Sequence, residues 1–259
     1  MMLKLLALGV IVCGVPALQG VDSRPLVQIM FSNPGLDVTN WQAVEAHLQR
    51  QNIAPEAVTN LTLERCNLTQ LPAWVTEKMP NLVSLEINEN NIEKLPETIE
   101  SLSKLMFLEA QHNHLTALPD SFSKLNQLFL ANFSHNKLKN ISHSLLTLPN
   151  LEVLNVSHNQ IGTFPDLFGL QNIRTLSLRG NEGICFEPDS APLTLLRHLD
   201  LAHCNLKTVP SFLGAFSNLH KLNLEDNPLR HKGFKNKWGF KSRWGKDGLK
   251  KKFEDKVWF

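Results

Sequence analysis

The sequence contains no tyrosine and only four cysteines, and it has no apolar run of the roughly 20 residues that a membrane-spanning helix needs. It also lacks the common patterns of catalysis, since no glycine-rich phosphate loop, H-E-x-x-H, G-x-S-x-G or C-x-x-C occurs. The acidic residues follow surface positions and show no converging cluster. The sequence therefore predicts a protein that binds a partner, with no catalytic residues, no bound metal and no cofactor.

The first twenty residues are typical of a secretory signal peptide, which we place at 1–20. Lys4 precedes an apolar run from Leu5 to Leu18, and small residues between Ala17 and Gly20 offer a cleavage point. The run is shorter than the roughly 20 residues of a spanning helix. An uncleaved anchor, or a fortuitous apolar start on a cytoplasmic protein, remains the alternative.

Cysteine usage fits secretion less well. Cys13 leaves with the signal peptide, and Cys66, Cys185 and Cys204 remain. Three cysteines are an odd number for an oxidising compartment, so at least one thiol is expected to be free or paired between chains.

A repeat begins at Val58, and it predicts the fold. Apolar residues recur as L-x-x-L-x-L-x-x-N/C-x-L in eight units, most of them 23 residues long. The units begin at Val58, Leu82, Leu105, Leu128, Leu151, Ile173, Leu196 and Leu219. Positions 4 and 6 alternate with polar residues, as in a half-buried strand. Position 9 is Asn or Cys, and we expect its side chain to satisfy backbone groups under the following turn.

These units resemble the leucine-rich-repeat superfamily, and a Leu-Pro step such as Leu95-Pro96 or Leu118-Pro119 is similar to its short, proline-containing class. The resemblance implies an α/β solenoid, a horseshoe with a parallel sheet on the concave side and an irregular or short-helical convex side. Cys66 and Cys204 fall at position 9, where a buried, unreactive thiol is expected. Many extracellular relatives have cysteine-rich caps, which this chain lacks.

The phasing predicts four segments: the signal peptide, an N-terminal capping region at 21–57, the repeats at 58–229, and a basic, aromatic tail at 230–259. In the cap, Thr39 or Asn40 would begin a helix that buries residues such as Trp41, Val44 and Leu48. In unit six, Gly183 replaces an apolar residue, so the convex segment there is expected to be remodelled. Cys185 lies in that bulge as a reactive, partner-linked or merely buried thiol.

Solenoids bind partners on the concave surface, where positions 3 and 5 should be exposed. Phe107, Leu130 and Val153 occupy position 3 in consecutive units and predict an exposed apolar strip, with Glu109 beside it at position 5. The alternative is that these side chains pack locally.

Position 8 places His112, His135 and His158 in consecutive units, with His203 further along. Side chains in consecutive units are expected to approach one another, and we include the first three in the partner-binding surface. A metal site or a pH switch is the alternative, but Ser-His-Asn is common in ordinary repeats of this superfamily and no carboxylate or cysteine completes a ligand set.

Five N-x-S/T sequons predict glycosylation if the chain is secreted: Asn60, Asn67, Asn132, Asn140 and Asn155. The repeat consensus itself generates such sequons, and glycans at Asn132 or Asn155 would obstruct the proposed strip.

The tail has a net charge of +8, from eleven Lys and Arg against three acidic residues. A tandem hexapeptide at 233–244 would segregate its aromatic and basic side chains if it were extended. We predict an anionic-surface site there, with Lys235, Lys237, Trp238, Lys241, Arg243 and Trp244. Anionic lipid or glycan is the expected target and nucleic acid the least expected. A cap on the last repeat, or a solvated tail, is the alternative.

The sequence thus predicts a secreted recognition protein that binds a protein ligand on its concave face. An intracellular signalling scaffold is one alternative, and a solenoid carrying a membrane- or heparin-binding tail is another.

Overall fold

The computed structural model describes residues 27–32, 36–164, 169–186, 193–210, 213, 216–229 and 257–258. The signal peptide and the tail residues predicted to bind anionic surfaces lie outside these ranges. Within them, no helix has both the length and the apolarity needed to cross a membrane.

Ten strands form one parallel sheet in the order β1-β2-β3-β4-β5-β6-β8-β10-β11-β12, and β7 pairs with β9 in a second, two-stranded sheet. The strands are β1 Gln28–Ser32, β2 Asn60–Glu64, β3 Ser84–Glu86, β4 Phe107–Glu109, β5 Leu130–Asn132, β6 Val153–Asn155, β7 Thr163–Phe164, β8 Thr175–Ser177, β9 Cys185–Phe186, β10 His198–Asp200, β11 Lys221–Asn223 and β12 Val257–Trp258. The α-helices are α1 Trp41–Arg50, α2 Ala73–Lys78 and α3 His143–Leu146, and 3₁₀ helices cover Pro55–Ala57, Glu97–Ser101 and Asp120–Lys124.

The repeat period sets the register of the large sheet. Leu85 pairs with Leu108, and the same position continues through Ala131 and Leu154 to Leu176. All of these side chains are buried in one continuous core. A single unit cannot cover its own apolar face, so each strand is stabilised by the units on either side of it. The predicted solenoid is confirmed.

The asparagines at position 9 form a ladder of buried hydrogen bonds. Oδ1 of Asn136 accepts the backbone N–H of Leu115 at 2.9 Å, and its Nδ2 donates to the carbonyl oxygen of Ala110 at 2.9 Å. Asn159 repeats the pattern one unit later, with Leu138 and Phe133. Each amide therefore satisfies a donor and an acceptor of the preceding unit, as the sequence predicted.

Cys204 performs only half of this task. Its Sγ donates to the carbonyl oxygen of Leu178 at 3.3 Å, but a thiol offers no amide oxygen to accept the N–H of the preceding unit. That N–H belongs to Gly183, and it donates instead to the backbone carbonyl of Cys204 at 3.0 Å. Gly183 has a φ of +79°. The irregular convex segment of unit six thus coincides with the loss of an asparagine from the next rung of the ladder.

The described cysteines, Cys66, Cys185 and Cys204, are all free thiols. Burial raises the pKa of Cys204 to about 11, so this thiol is unreactive at neutral pH, as expected. Cys66 is half-buried, and burial raises the pKa of its thiol as well. Cys185 is exposed on β9.

The N-terminal end of the sheet is covered by β1, which pairs with β2 over five residues. Helix α1 begins at Trp41, and the side chain of Asn40 caps it by accepting the N–H of Gln42 at 3.0 Å. Val44 and Leu48 are buried by this helix, in agreement with the sequence pattern. At the other end, β12 adds a tenth strand beside β11.

The inner face of the sheet as a candidate binding surface

The inner face presents one continuous surface of side chains from positions 3 and 5. Phe107 pairs with Leu130, which pairs with Val153, and the line continues through Thr175 to His198. The predicted alignment of Phe107, Leu130 and Val153 is therefore confirmed.

Their predicted exposure is wrong. Phe107 is 9% exposed, Leu130 2% and Val153 6%. They pack with Phe129 into a small cluster of their own, and the rings of Phe107 and Phe129 meet edge-on at 6.1 Å. Strands only about 4.8 Å apart leave little room between such side chains, and the large residue at position 2 closes the remaining gap. The alternative stated in the sequence analysis, that these side chains pack locally, is therefore the correct one.

Glu109 lies on β4 opposite Asn132, two residues beyond Phe107 of the apolar cluster. Its carboxylate accepts a hydrogen bond from Nε2 of Gln111 at 3.4 Å, and the side chain is half-buried. The side chain therefore keeps an accessible part on the acidic side of the inner face, next to Glu86 on β3.

At the carboxyl end of the strands, the histidines of position 8 stack. The ring centroids of His112 and His135 lie 4.2 Å apart with a 10° angle between the planes, and those of His135 and His158 lie 4.3 Å apart at 14°. Burial is the main reason that the pKa values of His135 and His158 are lowered. For His135, the neighbouring histidines lower it further.

This stack depends on an unusual backbone. The φ values of His112, His135 and His158 are 55°, 55° and 52°, in the left-handed region, and Gly180 continues the series with a φ of 69°. Identical backbone geometry at a constant interval places the rings in parallel. Parallel rings direct their nitrogen lone pairs side by side and not toward one point, as a metal ion requires. Accordingly, no group of three metal-binding side chains occurs among the described residues.

The opposite end of the last strands carries a basic cluster that the sequence analysis did not identify. We define it as Arg197, His198, His220 and Lys221, at positions 2 and 3 of units seven and eight. Arg197, His220 and Lys221 are exposed and His198 is half-buried. Arg197 and His220 occupy position 2, which lies outside the alternation of positions 3 and 5 that predicted the inner face. The signal was present, since position 2 reads Glu152, Arg174, Arg197 and His220 in consecutive units.

The sequons differ in accessibility. Asn67 and Asn140 are exposed, whereas Asn60 and Asn155 are half-buried. Asn132 is only 2% exposed, its Oδ1 accepts the N–H of Ser134 at 3.1 Å, and its Nδ2 is buried. Because a glycan attaches through Nδ2, glycosylation of Asn132 is incompatible with this packing, and the sequence-based expectation is corrected there.

A family model described as "Leucine-rich repeat region" matches residues 58–236. The chain therefore belongs to the leucine-rich-repeat proteins, whose members are generally non-catalytic binding proteins. No curated protein matches the sequence significantly.

Solved structures share the fold. A leucine-rich-repeat protein of Leptospira interrogans is 22% identical with a TM-score of 0.55, over 68% of this chain and 50% of its own. Toll of Drosophila, in complex with Spätzle, is 27% identical with a TM-score of 0.56, over 67% and 26%. The ectodomain of the receptor kinase GASSHO1/SCHENGEN3 from Arabidopsis thaliana, in complex with Casparian strip integrity factor 2, is 24% identical with a TM-score of 0.57, over 78% and 24%. This chain thus spans a quarter to a half of these proteins.

Proposed function

We propose that this protein binds a protein or peptide ligand across the inner face of its sheet, and that it does so outside the cell without catalysing a reaction. The observation that carries this proposal is the inner face itself. Positions 3 and 5 keep one register across seven neighbouring strands of the large sheet, which are β3, β4, β5, β6, β8, β10 and β11. Their chemistry changes from acidic at Glu86 and Glu109 to basic at Lys221.

Two solved relatives support a protein or peptide ligand, because Toll and the Arabidopsis receptor kinase are each seen in complex with one. The buried state of the apolar cluster changes the expected contact. Phe107 and Leu130 then shape the floor, while the accessible contacts come from Glu109, from the histidine stack of His112, His135 and His158, and from the basic cluster.

A matched pair of substitutions tests the surface. Each variant replaces one serine by tryptophan. Ser177 is half-buried on β8, at position 5 of unit six, and Ser123 is exposed in the outer 3₁₀ helix. Peptides are first selected from a random display library on the purified full chain, and their affinities are then measured calorimetrically. We expect Ser177→Trp to weaken binding by about tenfold or more, because the indole fills the inner face, and Ser123→Trp to leave it unchanged. Peptides sensitive only to Ser123→Trp, sensitive to neither, or absent from the selection would contradict the proposal.

The second candidate is an intracellular signalling scaffold, and the three free thiols favour it, since secreted proteins usually pair their cysteines. Expression of the full chain in cultured cells separates the two. Protein in the medium whose mobility changes with a glycosidase supports secretion, and unmodified protein confined to the cytosol refutes it.

The anionic-surface site of the tail stays a proposal of its own. Deleting 232–259 should abolish salt-sensitive retention on heparin resin or anionic vesicles, because these residues carry ten Lys and Arg against three acidic residues, whereas the rest of the chain is net acidic. Unchanged retention after the deletion would overturn it.

A further inference from the structure

We propose that the basic cluster of Arg197, His198, His220 and Lys221 is the docking site for an acidic segment of the ligand, with two or more carboxylates. The inference rests on the proposed function, because it names the chemistry of the ligand at one end of the inner face.

The first argument is convergence. His198 and Lys221 are paired across β10 and β11, and neighbouring strands lie about 4.8 Å apart. Arg197 and His220 immediately precede them, so four basic side chains share the beginning of two adjacent strands. The electrostatics agree, because the pKa of His198 is lowered first by burial and then by the charges of Lys221, His220 and Arg197.

The second argument is the absence of compensation within the described chain. One unit earlier, Arg174 is neutralised by Glu152, with Nε and Oε2 2.7 Å apart. No such ion pair reaches Arg197, His220 or Lys221 from any described residue. The acidic groups of the same units lie toward the other end of the strands, where Asp226 pairs with His203 at 3.0 Å. Asp200 is engaged as well, because it accepts the N–H of Ala202 at 3.0 Å.

The third argument concerns the kind of anion. The cluster is small and lies on the inner face, two strands from the buried apolar cluster at Val153. A flat membrane surface cannot follow a concave face, and a long polyanion requires a longer basic track than four side chains on two strands. An extended peptide places alternate side chains about 6.6 to 6.8 Å apart, which suits charges distributed over two adjacent strands. Charge complementarity therefore favours carboxylates on a peptide.

The experiment compares two charge reversals of equal size in the full chain. Arg197→Glu with Lys221→Glu changes the cluster. Lys137→Glu with Lys139→Glu, both exposed and elsewhere on the surface, is the matched control. The probe is a fluorescein-labelled octapeptide of glutamate at about 0.15 M salt, where distant charges are screened within about 8 Å. Both pairs of substitutions change the net charge of the chain by the same amount. Any binding of octaglutamate to the basic tail should therefore change equally in both variants.

We expect the cluster reversal to weaken binding of the octaglutamate by about tenfold or more, and the control to weaken it by about twofold or less. Arg197→Gln with Lys221→Gln should give an intermediate loss, and far-UV circular dichroism should show that all variants are folded. Equal losses in the cluster and control pairs, or no loss in either, would overturn the proposal.

Two further titrations test whether the anion that the cluster binds belongs to a peptide, a glycan or a lipid. A heparin oligosaccharide and phosphatidylserine vesicles are titrated with the same variants. If the cluster reversal abolishes binding of heparin or of the vesicles but leaves binding of octaglutamate unchanged, the cluster binds a glycan or a lipid surface and not an acidic peptide. That result would overturn the proposal. If the affinity for octaglutamate is unchanged by the cluster reversal while Ser177→Trp still weakens binding of the library peptides, the inner face binds ligand and only the proposal for this cluster is wrong.

Discussion

The imidazole of His158 lies against the backbone of Gly180. A Cβ atom at residue 180 would come within 2.6 Å of Nδ1 of His158, and the φ of Gly180 is +69°. The histidine stack ends at this point because the next unit has no side chain at position 8, and the ring of His158 lies near Gly180.

Alanine substitutions at three glycines separate the cost of the left-handed backbone from the cost of displacing the ring of His158. Gly180→Ala should lower the free energy of unfolding by about 2 kcal/mol, because left-handed backbone costs roughly 1 to 2 kcal/mol in alanine and the ring must also move. Gly183→Ala, at φ +79° with nothing within 4 Å of a new Cβ, should show the backbone cost alone. Gly162→Ala, with open space and no positive φ, should be neutral or slightly stabilising. Urea denaturation followed by circular dichroism ranks them, and a neutral Gly180→Ala would refute the contact.

The asparagine ladder predicts a graded loss at Asn159. Asn159→Ala removes the acceptor for the N–H of Leu138, leaving that buried group unpaired, and it removes one of two donors to the carbonyl oxygen of Phe133, which keeps its bond from Asn136. An unpaired buried group costs about 1 to 3 kcal/mol, so we expect the free energy of unfolding to fall by about that amount. Asn159→Cys should lose less, because the thiol of Cys204 shows that cysteine keeps the donor. Urea unfolding of both variants measures the order, and equal losses would mean that the thiol contributes no hydrogen bond.

The stacked histidines predict a stability that falls in mild acid. The pKa values of His135 and His158 are lowered from the ordinary 6.5, first by burial. The unfolded chain therefore takes up protons before the folded one. Stability is complete above about pH 6.5, declines as the pH falls through that value, and levels off below the folded pKa values. Midpoints of urea unfolding between pH 7.5 and 5 measure the slope.

Substitution identifies the source of that slope. His135→Asn removes the central ring and suits the left-handed backbone, so the decline should become shallower. His114→Asn, which removes a histidine outside the stack, should leave it as in the wild type. If both variants retain the same slope as the wild type, the stack does not cause the decline.

Accessibility predicts which sequons a secretory pathway would use. Asn67 and Asn140 are exposed and should be glycosylated on the secreted chain, whereas the buried Asn132 should not. Mass spectrometry of tryptic peptides, after glycosidase treatment in heavy-oxygen water, marks each occupied site. A mark at Asn132 would show that its strand packs differently from the structure described above. Removing that sequon with Ser134→Ala should leave the glycosylation pattern unchanged.

The sequence determined the solenoid, because a repeated pattern of leucines and asparagines dictates the same strand, the same register and the same buried hydrogen bonds in every unit. Leu85, Leu108 and Asn136 could each be assigned to core or ladder from their place in the repeat alone. It also determined that His112, His135 and His158 would approach one another, since a constant interval along the chain becomes a constant interval across the sheet.

Only the tertiary structure decided which of the aligned side chains are accessible. Phe107 and Leu130 occupy positions that face outward in a single unit, yet Phe129 from the neighbouring position covers them. Asn132 is buried although its sequon matches that of the exposed Asn140. Accessibility depends on the sizes of side chains in adjacent units, and a pattern within one unit does not contain that information. For the basic cluster, the sequence contains the residues at positions 2 and 3, and the structure adds that Arg197 lacks an acidic partner of the kind that Glu152 provides for Arg174.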